Sequence, residues 1–149
     1  ARQNGTAVAL SLSDSYCVER HRESFEDFVQ NDADIVVADE DEIHALLATD
    51  SIEAAIEILS TSDVLFAVTR SAKGSVIVHG DTVVRQAAST VVTIVDTTGA
   101  GDAYSAGFLY GWATDHSLSD CARYGTYCAT KVIQQLGARI EKGLLDDFS

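Results

Sequence analysis

The sequence predicts a three-layer α/β domain with a mostly parallel sheet and a small antiparallel addition. Short apolar runs of strand length recur along the chain, and charged segments with apolar residues at helical spacing follow them. Strands that alternate with helices need crossover connections, which makes neighbouring strands parallel and covers both sheet faces. Near residue 75 the period changes to two short strands around His79-Gly80-Asp81, the signal of an antiparallel hairpin.

The elements follow in order. TAVALSL (6–12) reads as a buried strand, and SDSYCVERHRESFEDFVQN (13–31) as a loop and an amphipathic helix with Val18, Phe25, Phe28 and Val29 on its apolar face. ADIVVA (33–38) is a second strand. The segment DEDEIHALLATD (39–50) then carries acids in the first turn of a helix, where the macrodipole favours them, with Ile43, Leu46 and Leu47 on one face. Ser51 is a plausible N-cap for the helix of SIEAAIEILS (51–60). DVLFAVT (63–69) is a third apolar strand, the hairpin follows, and TVVTIV (90–95) reads as one more strand. After the glycine loop DTTGAGD (96–102) comes a helix rich in alanine and glycine. The last predicted helix, 117–136, is capped by Ser117 or Ser119 and closed by Gly137.

Composition narrows the function. With 149 residues, 46% of them hydrophobic and 22% charged, the chain fits one ordinary soluble domain. No apolar run approaches the roughly 20 residues that span a bilayer and no signal segment opens the chain, so it reads as soluble and cytoplasmic. The net charge of −13 argues against a nucleic-acid or anionic-membrane surface, because phosphate backbones need clustered Lys and Arg. Cys17, Cys121 and Cys128 form no CxxC pair and read as reduced packing residues; His21, His44, His79 and His116 are too scattered for a zinc site. There is no methionine, and the chain opens within what reads as the approach to a buried strand, as a piece of a longer chain would.

The glycine loop carries the chemistry. It is not a dinucleotide fingerprint, since Tyr104 stands at the sixth position, and it is not a P-loop, since no lysine is near. Gly99-Ala100-Gly101 at a helix start leaves amides without intrahelical partners, in the positive end of the helix dipole, which makes an anion cradle. Asp102 beside that cradle suits a base that takes a proton from a hydroxyl while the amides stabilise charge on the phosphoryl group being attacked. The plainer alternative is a turn followed by an acid that favours the dipole.

TIVDTTGAGDAYSAGFLYG (93–111) resembles, almost residue for residue, the signature of the ribokinase-like, phosphofructokinase-B-type family of carbohydrate and nucleoside kinases. VVADEDEIHAL (36–46) looks like the family's Asn-x-x-Glu segment, and AVTRSAKGSVIV (67–78) is similar to its nucleotide-side strand and turn. CARYGTYCATKVIQQLGAR (121–139) resembles the closing helix of adenosine-kinase-like members. The resemblance covers the whole chain, residues 1–149, as the C-terminal nucleotide-binding and catalytic part of a ribokinase-like (Rossmann-like) kinase domain, with the N-terminal half and its lid missing.

The resemblance implies roles. Asp102 would be the catalytic base, with the amides of Gly99, Ala100 and Gly101 as the anion hole. Thr69, Arg70, Gly74 and Thr97 would contact the nucleotide, and Gly125 and Cys128 would lie near the adenine; for the last two, helix packing by small residues is an equal reading. Asp39 and Glu42 would organise magnesium, although the family usually has asparagine at the first position, and an acid-rich helix start remains the alternative. Asp96 and Thr98 sit where some relatives hold a monovalent cation such as K+. The implied activity is transfer of the γ-phosphate of ATP, with Mg2+, to a primary hydroxyl of an adenosine-like nucleoside. A sugar kinase of ribokinase or fructokinase type is the alternative, and a non-catalytic nucleotide-binding module is the rival from another class. The expected partners are small molecules, with no nucleic acid and no membrane. Strand edges and apolar surface left by the absent half make a homodimer a further expectation.

Overall fold

A computed structural model describes residues 5–91 and 93–139. The chain divides into two compact units, Ala1–Ser71 with Val76–Val84, and Ala72–Ser75 with Arg85–Ser149.

In the first unit β1 (Ala9–Ser11), β2 (Ile35–Asp39) and β3 (Leu65–Thr69) lie side by side and parallel. The full sheet has the order β1-β2-β3-β4-β5, with β4 (Ser75–His79) beside β3 and β5 (Thr82–Gln86) beside β4. Only two residues join β4 to β5, a connection open to antiparallel strands alone, so the sheet is mixed as expected. The strands β2 and β3 are buried on consecutive positions, as parallel strands covered on both faces must be. Val36, Phe66, Val68, Val76 and Val78 pack with Ile43 and Leu46 of α3 (Glu40–Leu47) and with Ile52, Ala55 and Leu59 of α4 (Ile52–Leu59).

Helix starts follow their caps. Ser51 accepts from the Ala54 amide at the head of α4, as the sequence suggests. The segment 13–31 forms two helices, α1 (Ser15–Arg20) and α2 (Arg22–Asn31), where the periodicity suggested one. His21 breaks them with φ −122° while its amide still donates to Cys17 and Val18. The break rotates the apolar face: Val18 and Val29 are buried, whereas Phe28 remains 38% exposed beside Leu10, Ser24 and Phe25. Cys17, one position before buried Val18, is exposed and not a packing residue.

The second unit is built on α5 (Ala100–Ala113) and α6 (Leu118–Val132). Ser117 caps α6 by accepting from Asp120, but the helix ends at Val132, short of the predicted 136. Gly137 does adopt the left-handed conformation, φ +86°, beyond the helix end and not at its cap.

The strand predicted at 90–95 is not formed among the described residues; Val92 lies outside them. A strand exists only where a neighbour completes its ladder, and here the amides of Val95 and Asp96 both point to the carbonyl of Ile133 instead. Ile94 and Val95 stay 60% and 53% exposed. Among the described residues, no helix is long and apolar enough to cross a membrane.

Candidate active site

In the second unit the chain enters α5 through Gly99, which takes φ +78° as the residue before the helix. A side chain there would be strained, and its Cβ would stand 2.5 Å from Ala138 Cβ. The first-turn amides then divide. That of Ala100 donates to the Thr97 carbonyl at 3.1 Å, whereas no hydrogen bond among the described residues uses the amides of Gly99, Gly101 or Asp102. Of the three amides named from the sequence, Ala100's is therefore committed to the turn, and Asp102's own amide joins the open set.

Among the described residues, a Cβ on Gly101 would meet nothing within 4 Å outside its own helix turn, and Asp102 is exposed. The carboxylate thus stands in the first turn of a helix beside partnerless donors, where the dipole favours negative charge.

The loop before the helix is held by Asp96. Its Oδ1 accepts from the Thr98 amide at 2.9 Å and its Oδ2 from the Gly137 amide at 3.0 Å. These bonds, with the Thr98 hydroxyl, hold the Asp96 carboxyl below its ordinary value. Thr97 and Thr98 are exposed.

Close helix contact positions α5. A Cβ on Gly107 would lie 2.5 Å from the Tyr124 carbonyl, and one on Gly125 would lie 2.9 Å from the Tyr104 ring. Cys128 is buried with Ala103 and Val132, and burial pushes its thiol up to about 11. Gly125 and Cys128 are therefore engaged in helix packing, one of the two roles the sequence left open for them. Tyr104 completes the anchor: its hydroxyl donates to Ser75 Oγ at 2.8 Å, and burial pushes its ionisation up to about 12. Gly74, adjacent to Ser75, has φ +88° and no room for a side chain against the Gln86 carbonyl.

The first unit gathers a second set of residues at the carboxyl ends of β2 and β3, where open α/β sheets place ligands. Asp39 and Glu42 form a reciprocal capping box at α3: Asp39 Oδ1 accepts from the Glu42 amide and Glu42 Oε2 from the Asp39 amide, each at 2.8 Å. Burial, with help from nearby carboxylates, raises the Glu42 pKa above its ordinary value. The box commits one oxygen of each carboxylate. Among the described residues, no three His, Cys, Asp or Glu side chains gather to hold a metal. Two carboxylates nevertheless match the donor set of Mg2+, which keeps waters and takes one or two carboxylates with substrate phosphates. Thr69 ends β3 with its hydroxyl 3.4 Å from the Ala38 carbonyl. Arg70 donates to Glu40 at 3.0 Å, a pair joining residues thirty positions apart that no local pattern announces. The Asp96–Gly137 and Tyr104–Ser75 bonds were equally hidden, for they too join distant segments.

Comparison with known proteins gives these positions a context. The structure superposes on an adenosine kinase from Sinorhizobium meliloti with TM-score 0.95 and 42% identity, covering 99% of this chain and 46% of that one. A probable sugar kinase from Rhizobium etli matches with TM-score 0.94 and 39% identity, over 99% of this chain and 45% of that one. An uncharacterized sugar kinase from Archaeoglobus fulgidus is 39% identical over 106 residues, 70% of this chain and 42% of the relative. The chain thus spans less than half the length of these relatives, and the α/β fold is ribokinase-like. The match to pfkB family carbohydrate kinase runs over residues 1–142, and on that extent the chain belongs to the pfkB family of carbohydrate kinases.

Proposed function

We propose that the protein carrying this chain is a soluble, cytoplasmic, ATP-dependent phosphotransferase that moves the γ-phosphate to a primary hydroxyl of an adenosine-like nucleoside. One observation carries the reading: the exposed Asp102 carboxylate stands in the first turn of α5 beside the partnerless amides of Gly99, Gly101 and Asp102.

In this mechanism Asp102 accepts the proton of the substrate hydroxyl as its oxygen attacks the γ-phosphorus. The bond to the bridging oxygen breaks and ADP leaves with the electron pair. The amides of Gly99, Gly101 and Asp102 donate to oxygens on which charge develops, and they need no reorganisation because the helix already aims them. The Ala100 amide joins only by releasing Thr97. Asp96 keeps the loop in place from behind and, with Thr98, is where a monovalent cation such as K+ would sit. Thr69, Arg70, Gly74 and Thr97 serve the nucleotide, Gly74 through its backbone alone. Asp39 and Glu42 would hold Mg2+ through the oxygens that the capping box leaves over; when bound, the ion neutralises phosphate charge. Gly125 and Cys128, facing α5, contribute to an adenine site only by shaping the helix that bounds it.

The test is Asp102→Asn in the full-length protein. Turnover should fall by about two to four orders of magnitude with ATP affinity little changed. Equal rates in both proteins would remove Asp102 as the base, and a protein that binds ATP without any turnover would favour the non-catalytic module. The nearness of both an adenosine kinase and a probable sugar kinase keeps a second reading, a sugar kinase of ribokinase or fructokinase type. Phosphorylation of ribose or fructose but not adenosine would select it.

A further inference from the structure

The strands β2 and β3 end in parallel register, Asp39 opposite Thr69, so the next residue of each leaves the sheet at the same level. Those residues are Glu40 and Arg70. Glu40 is the first residue of α3, and the Asp39–Glu42 capping box fixes the turn that carries it. Arg70 donates Nε at 3.2 Å and Nη2 at 3.0 Å to a single oxygen, Glu40 Oε1. The pair is well shielded, with the two side chains 17% and 19% exposed. Guanidinium has five N–H donors in a rigid plane, and no other hydrogen bond of Arg70 is made among the described residues. The Nη1 end of the plane is left over.

An arginine at a strand end is a long, mobile side chain, and ordering it costs affinity in proportion to the rotamers lost. Glu40 removes that mobility before any ligand arrives. Its charge works the other way, because a carboxylate beside an anion repels it. Glu40 helps an anionic ligand only if orientation outweighs repulsion, which makes the sign of its removal informative.

We propose that Glu40 is a positioning residue, holding the Arg70 guanidinium at the carboxyl end of β3 so that its remaining N–H donors meet the polyphosphate of the nucleotide. This rests on the kinase reading above and adds to it a residue that acts through another.

The experiment is a double-substitution cycle in the full-length protein, with calorimetric Kd for ATP in the presence of Mg2+, KM, kcat and melting temperature as readouts. Glu40→Gln should weaken ATP binding by about three- to tenfold, a coupling typical of directly paired residues, with the loss in Kd and KM and not in kcat. In an Arg70→Gln background the same substitution should weaken binding no further. Glu40→Asp, which keeps the charge with a shorter reach, should fall between. Glutamine keeps a carbonyl oxygen that can accept from the guanidinium, so melting should change less than ATP affinity does. Unchanged or tighter binding by Glu40→Gln, or an equal loss in both backgrounds, would overturn the role of Glu40 while leaving the kinase reading intact. Absence of ATP binding in the unsubstituted protein would overturn both.

Discussion

Tyr104 of α5 donates its hydroxyl to Ser75 Oγ at 2.8 Å in a fully buried contact. Two residues before Tyr104 stands Asp102, so this bond ties the helix that bears the proposed base to Ser75. Replacing Tyr104 by Phe should cost about 1 to 2 kcal/mol in denaturant unfolding of the full-length protein, because the Ser75 hydroxyl is left buried without its donor. A pH dependence accompanies the bond. Tyr104 ionises near 10 when unfolded and is pushed up to about 12 in the fold, so its contribution is fully present below 10 and is lost as pH rises through 12. Ultraviolet titration should show a tyrosine step near 12, and Tyr104→Phe should abolish it.

The two glycines of the loop should respond in opposite ways to the same methyl group. Gly99→Ala forces a left-handed alanine against Ala138 Cβ and should destabilise the protein by about 2 kcal/mol. Gly101→Ala enters open space within a helix and should stabilise it by about 0.5 kcal/mol. If the proposed phosphoryl site is right, that same methyl reduces turnover. A stable Gly101→Ala enzyme with unchanged kcat/KM would show that no reacting group approaches there.

Gly107→Ala should destabilise by about 1 to 3 kcal/mol even though alanine is the better helix former. The added Cβ meets the Tyr124 backbone carbonyl, which cannot swing away as a side chain could. Thermal melts of the substituted protein would check this, and a neutral result would mean that α5 and α6 separate freely.

Asp96 links the loop before α5 to Gly137. Its carboxyl is held below its ordinary value of 3.8 by the Thr98 and Gly137 bonds, so its contribution is present above 3.8 and disappears as pH falls through the lower folded value. Asp96→Ala should therefore be less stable than the unsubstituted protein at neutral pH, with the gap closing in acid. A gap independent of pH would point to packing and not to the charge. If K+ also uses this carboxylate, any stabilisation that K+ gives the protein should vanish in Asp96→Ala.

The sequence carried whatever depends on near neighbours along the chain. Gly99 and Asp102 were readable because a left-handed glycine followed by an acid in the first helical turn is a local arrangement; Ser51 was readable as a cap for the same reason, and Ser117 as one of two candidates with Ser119. The strands β2 and β3 could be recognised from unbroken apolar runs, since burial on both faces suppresses alternation. The run at 90–95 is also largely apolar and is no strand among the described residues, where the Val95 amide turns to Ile133 and a ladder needs a second chain segment. Gly125 and Cys128 stayed ambiguous, for a small residue permits close approach without saying whether a ligand or another helix makes it.

By itself, then, the sequence determined the order of β1 to β5 and of α3 to α6, the helix that opens on a glycine loop, and the acid at its head, all consequences of backbone preference and periodicity within a few residues. Only the tertiary structure decided that Tyr104 is anchored to Ser75 and that Glu40 meets Arg70. Those facts belong to strand register and helix packing, which bring distant residues within hydrogen-bond reach and leave no trace in the spacing of either partner.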